Sequence, residues 1–526
     1  MRVNMNRYTA MTVCAVFAAA ALTGCAADSR SVSVADFGQS GGISYTSDTA
    51  PRTEPEVQQS SSVTFSGTVT STKKETSAAE STAEDTSQDV THEQTETSTH
   101  SEASESEEKT DVTEYISDDN AAPDPVESTI VTTASTTAQT TSEPAVAEPE
   151  YDFDSRAYTA LNYSEVKGVW ISYIELAELL SGQSAGGFRS NIGAVFDNCV
   201  SLGINTVYVH VRSHSDAYYR SEIFPWARNI TGTLGADPGF DPLQIMLEEA
   251  HSRNISFQAW INPLRACSAS QLSSYGSYPV YSFAAADGMA GKYAVDVNGT
   301  YFLNPAYEAV TELIAAGAAE IVSGYDVDGL HIDDYFYPTT DTSFDSSAFS
   351  DSGYTDLSDF RFANCDRMVE ELYGAVKSAN PSAVFSVSVQ GRIENNYTQL
   401  YADVRKWCTE SGYLDIMIPQ IYYGFENSAA PYQATLDEWD ELAEKGGIPL
   451  VAGLSVSKSG IEDKWAGSGK NEWIDNNDII SRQLAAAKKC ASYGGFALYS
   501  YRSIFSPESS VSAAVNKEIS ALKDII

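Results

Sequence analysis

Two adjacent aspartates, Asp333 and Asp334, close a short apolar segment and are followed by aromatic residues. The segment reads Val327-Asp328-Gly329-Leu330-His331-Ile332 before the pair and Tyr335-Phe336-Tyr337-Pro338 after it. Cleavage of a glycosidic bond needs one group that protonates the leaving oxygen and another that stabilises positive charge at the anomeric carbon. Two carboxyl groups at a strand end, surrounded by flat side chains, fit that requirement. The pattern therefore predicts a site for hydrolysis of a sugar chain.

The residues after Tyr151 alternate between strand-like and helix-like segments. Eight apolar segments have the composition of parallel strands that are covered on both faces. Because a helical pattern follows each of them, residues 151–526 are predicted to form a (β/α)8 TIM barrel. The alternative is an open doubly wound sheet, but the first strand is not followed by a glycine-rich phosphate turn. The predicted strands are Lys167–Ser172, Ile204–Val211, Ser256–Asn262, Asp328–Asp334, Val384–Gly391, Leu414–Tyr422, Leu450–Val456 and Gly495–Tyr501.

Polar and aromatic residues gather at the predicted C-terminal ends of these strands, where barrel enzymes carry their chemistry. Aromatic rings with a few polar groups suit sugars, which present C–H faces and hydroxyl edges. We predict Asp333, Asp334 and Asp216 as the catalytic residues. The predicted substrate-binding residues are Trp170, Arg212, Trp260, Asn262, Asn304, His331, Tyr335, Gln390, Gln420, Tyr422 and Tyr499.

Several of these segments also carry a family resemblance. The chain resembles the glycosyl hydrolase family 10-like proteins, in the family's order, at Lys167–Trp170, Val211–Ser221, Ala259–Pro263, Leu303–Pro305, Tyr325–Pro338 and Pro419–Tyr423. The run Asp-Gly-x-x-x-Asp-Asp-Tyr-Phe-Tyr-Pro is the most specific element, and the resemblance extends over about residues 166–502. It implies a TIM-barrel glycosidase, commonly a lipoprotein, that acts on bacterial cell-wall glycan.

The resemblance has two limits. The two catalytic glutamates of true xylanases are not carried over, because the fourth and seventh strands lack glutamates at those places. The chain also has Ser213 and Ser215 where the family tends to have Pro and Gly, which leaves the shape of the Asp216 loop open but keeps Asp216 itself.

Two mechanisms are open for the aspartates. In the first, the substrate carries a 2-acetamido group that participates in the reaction, a departure from the two-carboxylate scheme. Asp333 would polarise the acetamido N–H, Asp334 would protonate the leaving oxygen, and Tyr422 would hold the acetamido oxygen. Like charges this close raise one pKa, which favours a protonated acid near neutral pH.

In the second mechanism Asp333 is a nucleophile and the acid is Glu394, Glu426 or Asp216. Strand alternation favours this arrangement slightly, because it places Asp333 and Asp334 on opposite faces. A structural interpretation also stands beside both mechanisms, in which Asp334 caps the following loop.

Other polar residues near the predicted mouth have two interpretations each. His331 is interpreted as a hydrogen-bonding wall residue rather than a general base. Arg212 and Arg392 either bind a carboxylate on the sugar, such as a lactyl group, through a bidentate fork, or pair with Asp216 and Glu394.

Two further pairs complete the candidates. Trp465 and Trp473 flank the loop after the seventh strand and are either stacking platforms or the core of that loop. His210 and His214 lie four residues apart at a strand end, but no matching third ligand accompanies them. We therefore predict no metal and no cofactor.

The N-terminal residues predict export. Residues 1–25 combine Arg2 and Arg7 with a short apolar stretch and end in Leu22-Thr23-Gly24-Cys25, which resembles a lipoprotein signal whose Cys25 is lipidated. Residues 26–150 are rich in Ser, Thr, Glu and Asp and poor in large apolar residues, as expected of a disordered tether. The predicted location is the extracellular face of the cell membrane.

The formal net charge of −40 argues against a nucleic-acid partner. The cysteines after the signal show no CxxC pair and no metal spacing, so no structural disulfide is expected. The sequence thus predicts a lipid-anchored glycoside hydrolase of an amino-sugar glycan, with peptidoglycan strands as the expected polysaccharide. A non-catalytic glycan-binding lipoprotein and a hydrolase of a neutral plant or host polysaccharide are the alternatives.

Overall fold

A computed structural model describes residues 155–526. The predicted signal peptide (1–25), the lipidation site Cys25 and the predicted tether (26–150) lie outside the described residues. In the described part, eight parallel strands close into a barrel. They are β1 Val166–Ile171, β2 Thr206–Arg212, β3 Ser256–Ile261, β7 Gly329–Ile332, β8 Val384–Val387, β9 Ile416–Met417, β10 Leu450–Ser455 and β11 Tyr493–Tyr499. Their order around the barrel is β1-β11-β10-β9-β8-β7-β3-β2. The prediction of a TIM barrel is therefore confirmed, and the open doubly wound sheet is wrong.

Helices cover the outside of the barrel. Several begin as the sequence indicates; Asp241, for example, accepts a hydrogen bond from the Gln244 N–H at the start of its helix, with proline in the first turn. The described α-helices are Tyr173–Leu180, Ala185–Ser201, Arg228–Thr231, Pro242–His251, Pro279–Ala285, Glu308–Gly324, Ser346–Ser352, Leu357–Ala379, Ile393–Thr398, Val404–Thr409, Tyr432–Gly446, Glu472–Asp475, Ile479–Ala487, Tyr501–Phe505 and Ser512–Lys523. Within residues 155–526, no helix combines the length and apolar character needed to cross a membrane.

A small antiparallel sheet interrupts the alternation after the third barrel strand. Its strands are β4 Arg265–Ser268, β5 Ala294–Val297 and β6 Thr300–Leu303, in the order β4-β6-β5. This sheet was not predicted from the sequence, because its strands are only four residues long and partly exposed, which leaves no clear apolar period. The sheet matters for the site because its first residue is Arg265.

Side chains of the barrel strands alternate between two cores. Trp170, Tyr208 and Trp260 belong to a small cluster inside the barrel. Their neighbours, such as Val169 and Ile261, belong to the large core between the strands and the helices. The interior is therefore filled below the mouth, and substrate can reach only the C-terminal ends of the strands.

The Asp-Gly pair of the most specific motif is structural. The buried Asp328 carboxylate accepts hydrogen bonds from the Phe257 N–H at 2.7 Å and from the Tyr158 hydroxyl at 2.7 Å. A Cβ on Gly329 would lie 2.0 Å from Gln258 Oε1 and 2.4 Å from the Val384 carbonyl oxygen, so only glycine fits there. These contacts fix the N-terminal end of β7 and hence the position of the aspartates at its other end.

Candidate active site

Aromatic rings form the floor of the barrel mouth. The Tyr208 and His331 rings lie 4.5 Å apart, centroid to centroid. The Trp170 indole N–H donates a 3.1 Å hydrogen bond to His331 Nε2, so Nδ1 carries the proton and donates to Ser386 Oγ at 2.8 Å. Burial lowers the pKa of His331 to about 3. His331 is thus a neutral, fully hydrogen-bonded side chain, the wall arrangement that the sequence analysis favoured over a general base.

A second histidine orients an amide at the end of β3. The Tyr173 backbone N–H donates to His210 Nδ1 at 3.2 Å, so His210 Nε2 carries the proton and donates to Asn262 Oδ1, also at 3.2 Å. The Trp260 ring stacks on His210 with a centroid separation of 3.3 Å. Asn262 Nδ2 and Trp260 Nε1 are buried and have no partner among residues 155–526. Because buried donors are normally satisfied, these two N–H groups are available to a ligand.

The two aspartates lie beyond the end of their strand. β7 ends at Ile332, so strand alternation does not separate the carboxyl groups that follow it. Asp333 is 5% exposed and Asp334 is half-buried. The Asp334 carboxylate is hydrogen-bonded by the side chains of Gln390, which follows the adjacent strand β8, and Gln420, which follows β9. Its partners are therefore residues of the mouth and not the loop that follows it.

The surroundings of Asp333 and Asp334 shift the pKa values of the two carboxyl groups differently. Burial, followed by the negative charge of Asp334, raises the pKa of Asp333 well above its ordinary value. Burial also raises the pKa of Asp334, but the amide N–H groups of Gln420 and Gln390 act in the opposite direction by stabilising its anion. The positive charge of Arg265 and the Tyr335 backbone N–H also oppose the rise at Asp333. Both pKa values are nevertheless raised, and two carboxyl groups this close favour a state in which one of them keeps a proton. Asp333 Oδ1 is buried without a hydrogen-bond partner among the described residues.

Two tyrosines extend the site next to the aspartate pair. Tyr422 and Tyr499 stack with their centroids 5.8 Å apart. Burial raises the pKa of Tyr422 well above its ordinary value, and the charges of Tyr499, Asp334 and Asp333 add to the effect. Tyr422 consequently keeps its proton and can donate a hydrogen bond to a ligand beside the aspartates.

Asp216 lies on the loop after β2, on the side of the mouth formed by Arg265. Burial raises the pKa of Asp216 to about 6, and the positive charge of Arg265 opposes the rise. The same arginine charge also acts on Asp333. Asp216 Oδ1 has no hydrogen-bond partner within residues 155–526. The structure thus brings Asp216 to the same charged region as the aspartate pair, despite the serines at positions 213 and 215.

The raised pKa of Asp216 predicts a pH dependence. A carboxyl group with a pKa of about 6 is protonated below that pH. If Asp216 donates a proton, kcat/KM of the wild type falls as pH rises through about 6, and Asp216→Asn removes this limb. The measurement is a pH–rate profile of both proteins on one glycan. A higher KM with an unchanged limb would instead make Asp216 a hydroxyl-binding residue.

The structure does not bring Arg212 to the mouth. The register between β2 and β3 shifts after His210, so Arg212 pairs with Ile261, a residue of the outer core. Arg212 is 0% exposed, and its guanidinium lies 4.5 Å from the centre of the Phe224 ring. The bulge therefore turns the Arg212 side chain into the space behind the barrel wall, and the structure does not place it among the mouth residues with which the sequence grouped it.

Asn304 makes its hydrogen bonds within the protein. It is 0% exposed, and its Nδ2 donates to the Lys292 carbonyl oxygen at 2.9 Å while its Oδ1 accepts from the Ala306 N–H at 3.1 Å. These bonds hold the loop after β6, so the structure does not place Asn304 among the exposed residues of the mouth. Of the alternative acids, Glu394 lies on the exposed first turn of the helix Ile393–Thr398, and Glu426 is exposed too.

Arg265 is the functional candidate that the sequence analysis missed. Its guanidinium lies 5.2 Å from the centre of the Tyr173 ring and 4.8 Å from that of the predicted site residue Tyr335. Its Nε donates to the Ser213 carbonyl oxygen at 3.0 Å. The sequence offered one signal, a basic residue just after a strand end, but its position depends on the antiparallel sheet, which was not predicted.

The two tryptophans on the loop after the seventh barrel strand, β10, differ in exposure. Trp473 is 1% exposed and belongs to the core of that loop, whereas Trp465 is 56% exposed. The loop is tied to its neighbour after β9, because Glu472 accepts hydrogen bonds from the N–H groups of Phe425 and Glu426 at 2.9 and 2.8 Å. Trp465 is therefore presented on a fixed loop at the mouth end of the barrel.

Features elsewhere in the described residues do not compete with this site. A groove of about 370 Å³ lies on the helical layer, and one of its acidic lining residues, Asp366, is already bound by Lys406 at 2.8 Å and by the Trp407 indole N–H at 2.6 Å. Among residues 155–526, no group of three or more His, Cys, Asp or Glu side chains is arranged to hold a metal ion.

A closed parallel barrel with paired carboxyl groups and an aromatic mouth defines a TIM-barrel glycoside hydrolase. Comparison with known proteins agrees with this class. The family described as glycosyl hydrolase-like 10 matches residues 165–467. The chain belongs to this family, as the resemblance in the sequence implied.

Two relatives carry the same general name. Glycosyl hydrolase YngK of Bacillus subtilis (strain 168) is 29% identical over 353 residues, which cover 62% of this chain and 67% of that protein. Glycosyl hydrolase DigH of Escherichia coli (strain K12) is 32% identical over 316 residues, which cover 54% and 71%. Among solved structures, the catalytic domain of a β-amylase from Paenibacillus polymyxa covers 68% of this chain and 97% of its own, with 10% identity and a TM-score of 0.43, too low to bear on substrate.

Proposed function

We propose that this glycoside hydrolase cleaves an amino-sugar glycan, with the glycan strands of peptidoglycan as its substrate. The observation that carries the proposal is the position of Tyr422 beside the Asp333–Asp334 pair. A pair of adjacent acids with a neutral tyrosine suits a reaction in which the 2-acetamido group of the substrate attacks its own anomeric carbon. A neutral sugar has no group for Asp334 and Tyr422 to hold in this way.

The electrostatics of the pair support a definite assignment of roles. Asp333, whose pKa is raised further, donates its proton to the leaving glycosidic oxygen. Asp334, ionised and held by two glutamine amides, accepts a hydrogen bond from the acetamido N–H. Tyr422 donates to the acetamido oxygen, and water then opens the cyclic intermediate. This assignment exchanges the roles that the sequence analysis gave to the two aspartates.

The proposal includes a location. The support is the sequence Leu22-Thr23-Gly24-Cys25 after a short apolar stretch, followed by an acidic region poor in large apolar residues. A lipid on Cys25 would hold the protein at the outer face of the membrane, and residues 26–150 would let the barrel reach the wall.

The test is a comparison of substrates with the full chain. Purified peptidoglycan strands, with and without stem peptides, are incubated beside xylan and starch, and new reducing ends are counted. We expect release from the peptidoglycan strands. Binding to those strands without any release would support a glycan-binding lipoprotein, and release from xylan or starch alone would support a hydrolase of neutral polysaccharides; either result would overturn the proposal.

A further inference from the structure

Arg265 forms no ion pair with a carboxylate of residues 155–526, although its charge acts on Asp216 and Asp333. Its Nε hydrogen bond to the Ser213 carbonyl oxygen uses one of the five guanidinium N–H groups. The remaining four have no hydrogen-bond partner, and no carboxylate forms an ion pair with Arg265, among residues 155–526. The side chain is half-buried, so its outer face is reachable from the mouth. Holding a positive charge partly out of water without a bound anion costs free energy, and an anionic ligand on the guanidinium would offset that cost.

The guanidinium is also held in one orientation. The rings of Tyr173 and Tyr335 lie on it at 5.2 and 4.8 Å, and the Ser213 carbonyl oxygen fixes its Nε edge at 3.0 Å. Arginine stacked on aromatic rings presents its remaining edge as a planar fork, which matches the geometry of a carboxylate. The guanidinium therefore loses little conformational freedom when it binds an anion.

The fork lies beside the catalytic groups. The charge of Arg265 acts on both Asp216 and Asp333, yet it is hydrogen-bonded to neither. An anion bound to Arg265 would consequently belong to the sugar at or next to the bond being cleaved. In peptidoglycan strands without stem peptides, alternate sugars carry a free carboxylate on a lactyl ether; where a stem peptide is attached, that group is an uncharged amide.

We propose that Arg265 binds a carboxylate substituent of the substrate and so selects carboxylate-bearing amino sugars over uncharged ones. This inference rests on the proposed function and adds the feature of the substrate that is recognised. It replaces Arg212, which lies behind the barrel wall, as the residue for that role. Arg265 is a specificity residue and takes no part in proton transfer.

The test compares three substrates and uses the full chain as wild type, two Arg265 variants and one control variant. The substrates are peptidoglycan strands without stem peptides, the same strands with their lactyl carboxylates converted to amides, and chitin oligomers, which have the acetamido group but no carboxylate. KM and kcat are measured for the wild type, Arg265→Gln and Arg265→Lys. Arg405→Gln is the matched control, because Arg405 also packs on a ring, Tyr397 at 4.7 Å, but lies on the outer helix Val404–Thr409.

We expect Arg265→Gln to raise KM for the carboxylate-bearing strands by about 10- to 100-fold, the range for hydrogen bonds to charged groups. The variant therefore loses its preference for carboxylate-bearing strands over amidated strands and chitin oligomers. Loss of the Arg265 charge beside Asp216 and Asp333 changes kcat on all three substrates alike. Arg265→Lys gives an intermediate loss, since it keeps the charge but not the fork. Amidation of the strands alone reproduces the loss with wild-type protein, which needs no variant to fold.

The outcomes separate this inference from the function on which it depends. An equal effect of Arg265→Gln on KM for all three substrates, with a shifted pH–rate profile, would show that Arg265 only adjusts the acids and would overturn the inference while leaving the function intact. Equal use of native and amidated strands by the wild type would do the same. If the wild type cleaves none of the three substrates, the proposed function fails and the inference fails with it.

Discussion

An Asp333→Asn variant is expected to lose about 10²- to 10⁴-fold in kcat on its glycan, the contribution usual for a general acid. Asparagine keeps the size of the side chain but has no proton to transfer to the leaving oxygen. Asp333 is nearly buried, and both its burial and the charge of Asp334 keep it protonated, so the loss should come from chemistry and not from binding. KM is expected to change little.

The roles of the two aspartates can be told apart with a chosen leaving group. An aryl glycoside of the amino sugar leaves as a weakly basic phenolate and needs little protonation. Asp333→Asn should therefore recover most of its activity on that substrate, whereas Asp334→Asn should remain slow because the acetamido group is still not polarised. If only Asp334→Asn recovers activity on the aryl glycoside, Asp334 is the acid and Asp333 polarises the acetamido group, as predicted from the sequence. A large loss in Glu394→Gln or Glu426→Gln would favour direct displacement instead.

The barrel could be predicted from sequence because its signals are local and repeated. The eight predicted strands coincide with the observed ones to within a few residues at most ends, since a parallel strand covered on both faces is apolar throughout. The poorest match is the sixth, Leu414–Tyr422, of which only Ile416–Met417 is regular strand. Pro419 has no N–H to donate, and the ladder continues past it as isolated links such as that of the Gln420 N–H to the Val389 carbonyl oxygen.

The site was less predictable because its geometry depends on irregularities. The bulge after His210 reverses the direction of Arg212, and one residue of register decides whether that side chain faces the mouth or the helices. β7 ends at Ile332, so strand alternation does not apply to the two aspartates that follow, and both can face the barrel mouth. Arg265 depends on the four-residue strand that it begins. The bulge, the early strand end and the short strand leave no hydrophobic periodicity or change of composition by which they could be predicted from the sequence.

The second large effect is expected on stability. Asp345 and Arg361 form an ion pair in which both side chains are 0% exposed. The Asp345 carboxylate accepts from Arg361 Nε at 2.9 Å and Nη2 at 2.7 Å, and the guanidinium also lies near the rings of Tyr337 and Tyr401. Removal of one partner leaves a buried charge without compensation, so Asp345→Ala should lower the free energy of unfolding by about 3–5 kcal/mol.

The measurement is urea unfolding of the full chain, with circular dichroism as the signal. Glu462→Ala is the control, because its ion pair with Lys470 at 2.8 Å is exposed and should contribute at most about 1 kcal/mol. The double variant Asp345→Leu with Arg361→Met removes both charges together, and much of the stability should return because neither charge is then left buried. A double variant as unstable as Asp345→Ala would show that packing of the loop, and not the uncompensated charge, causes the loss.

The same variant links stability to catalysis. Asp345 lies in the segment between the aspartate pair and the helix Leu357–Ala379, and Arg361, on that helix, also binds the Asp341 carbonyl oxygen at 2.7 Å. The pair thus holds the loop that leads away from Asp333 and Asp334. Asp345→Ala should therefore lower kcat even at urea-free conditions where the protein stays folded, because the carboxyl groups lose part of the support that fixes them beside Tyr422. Full kcat in a folded, destabilised Asp345→Ala protein would show that the strand end alone positions the two acids.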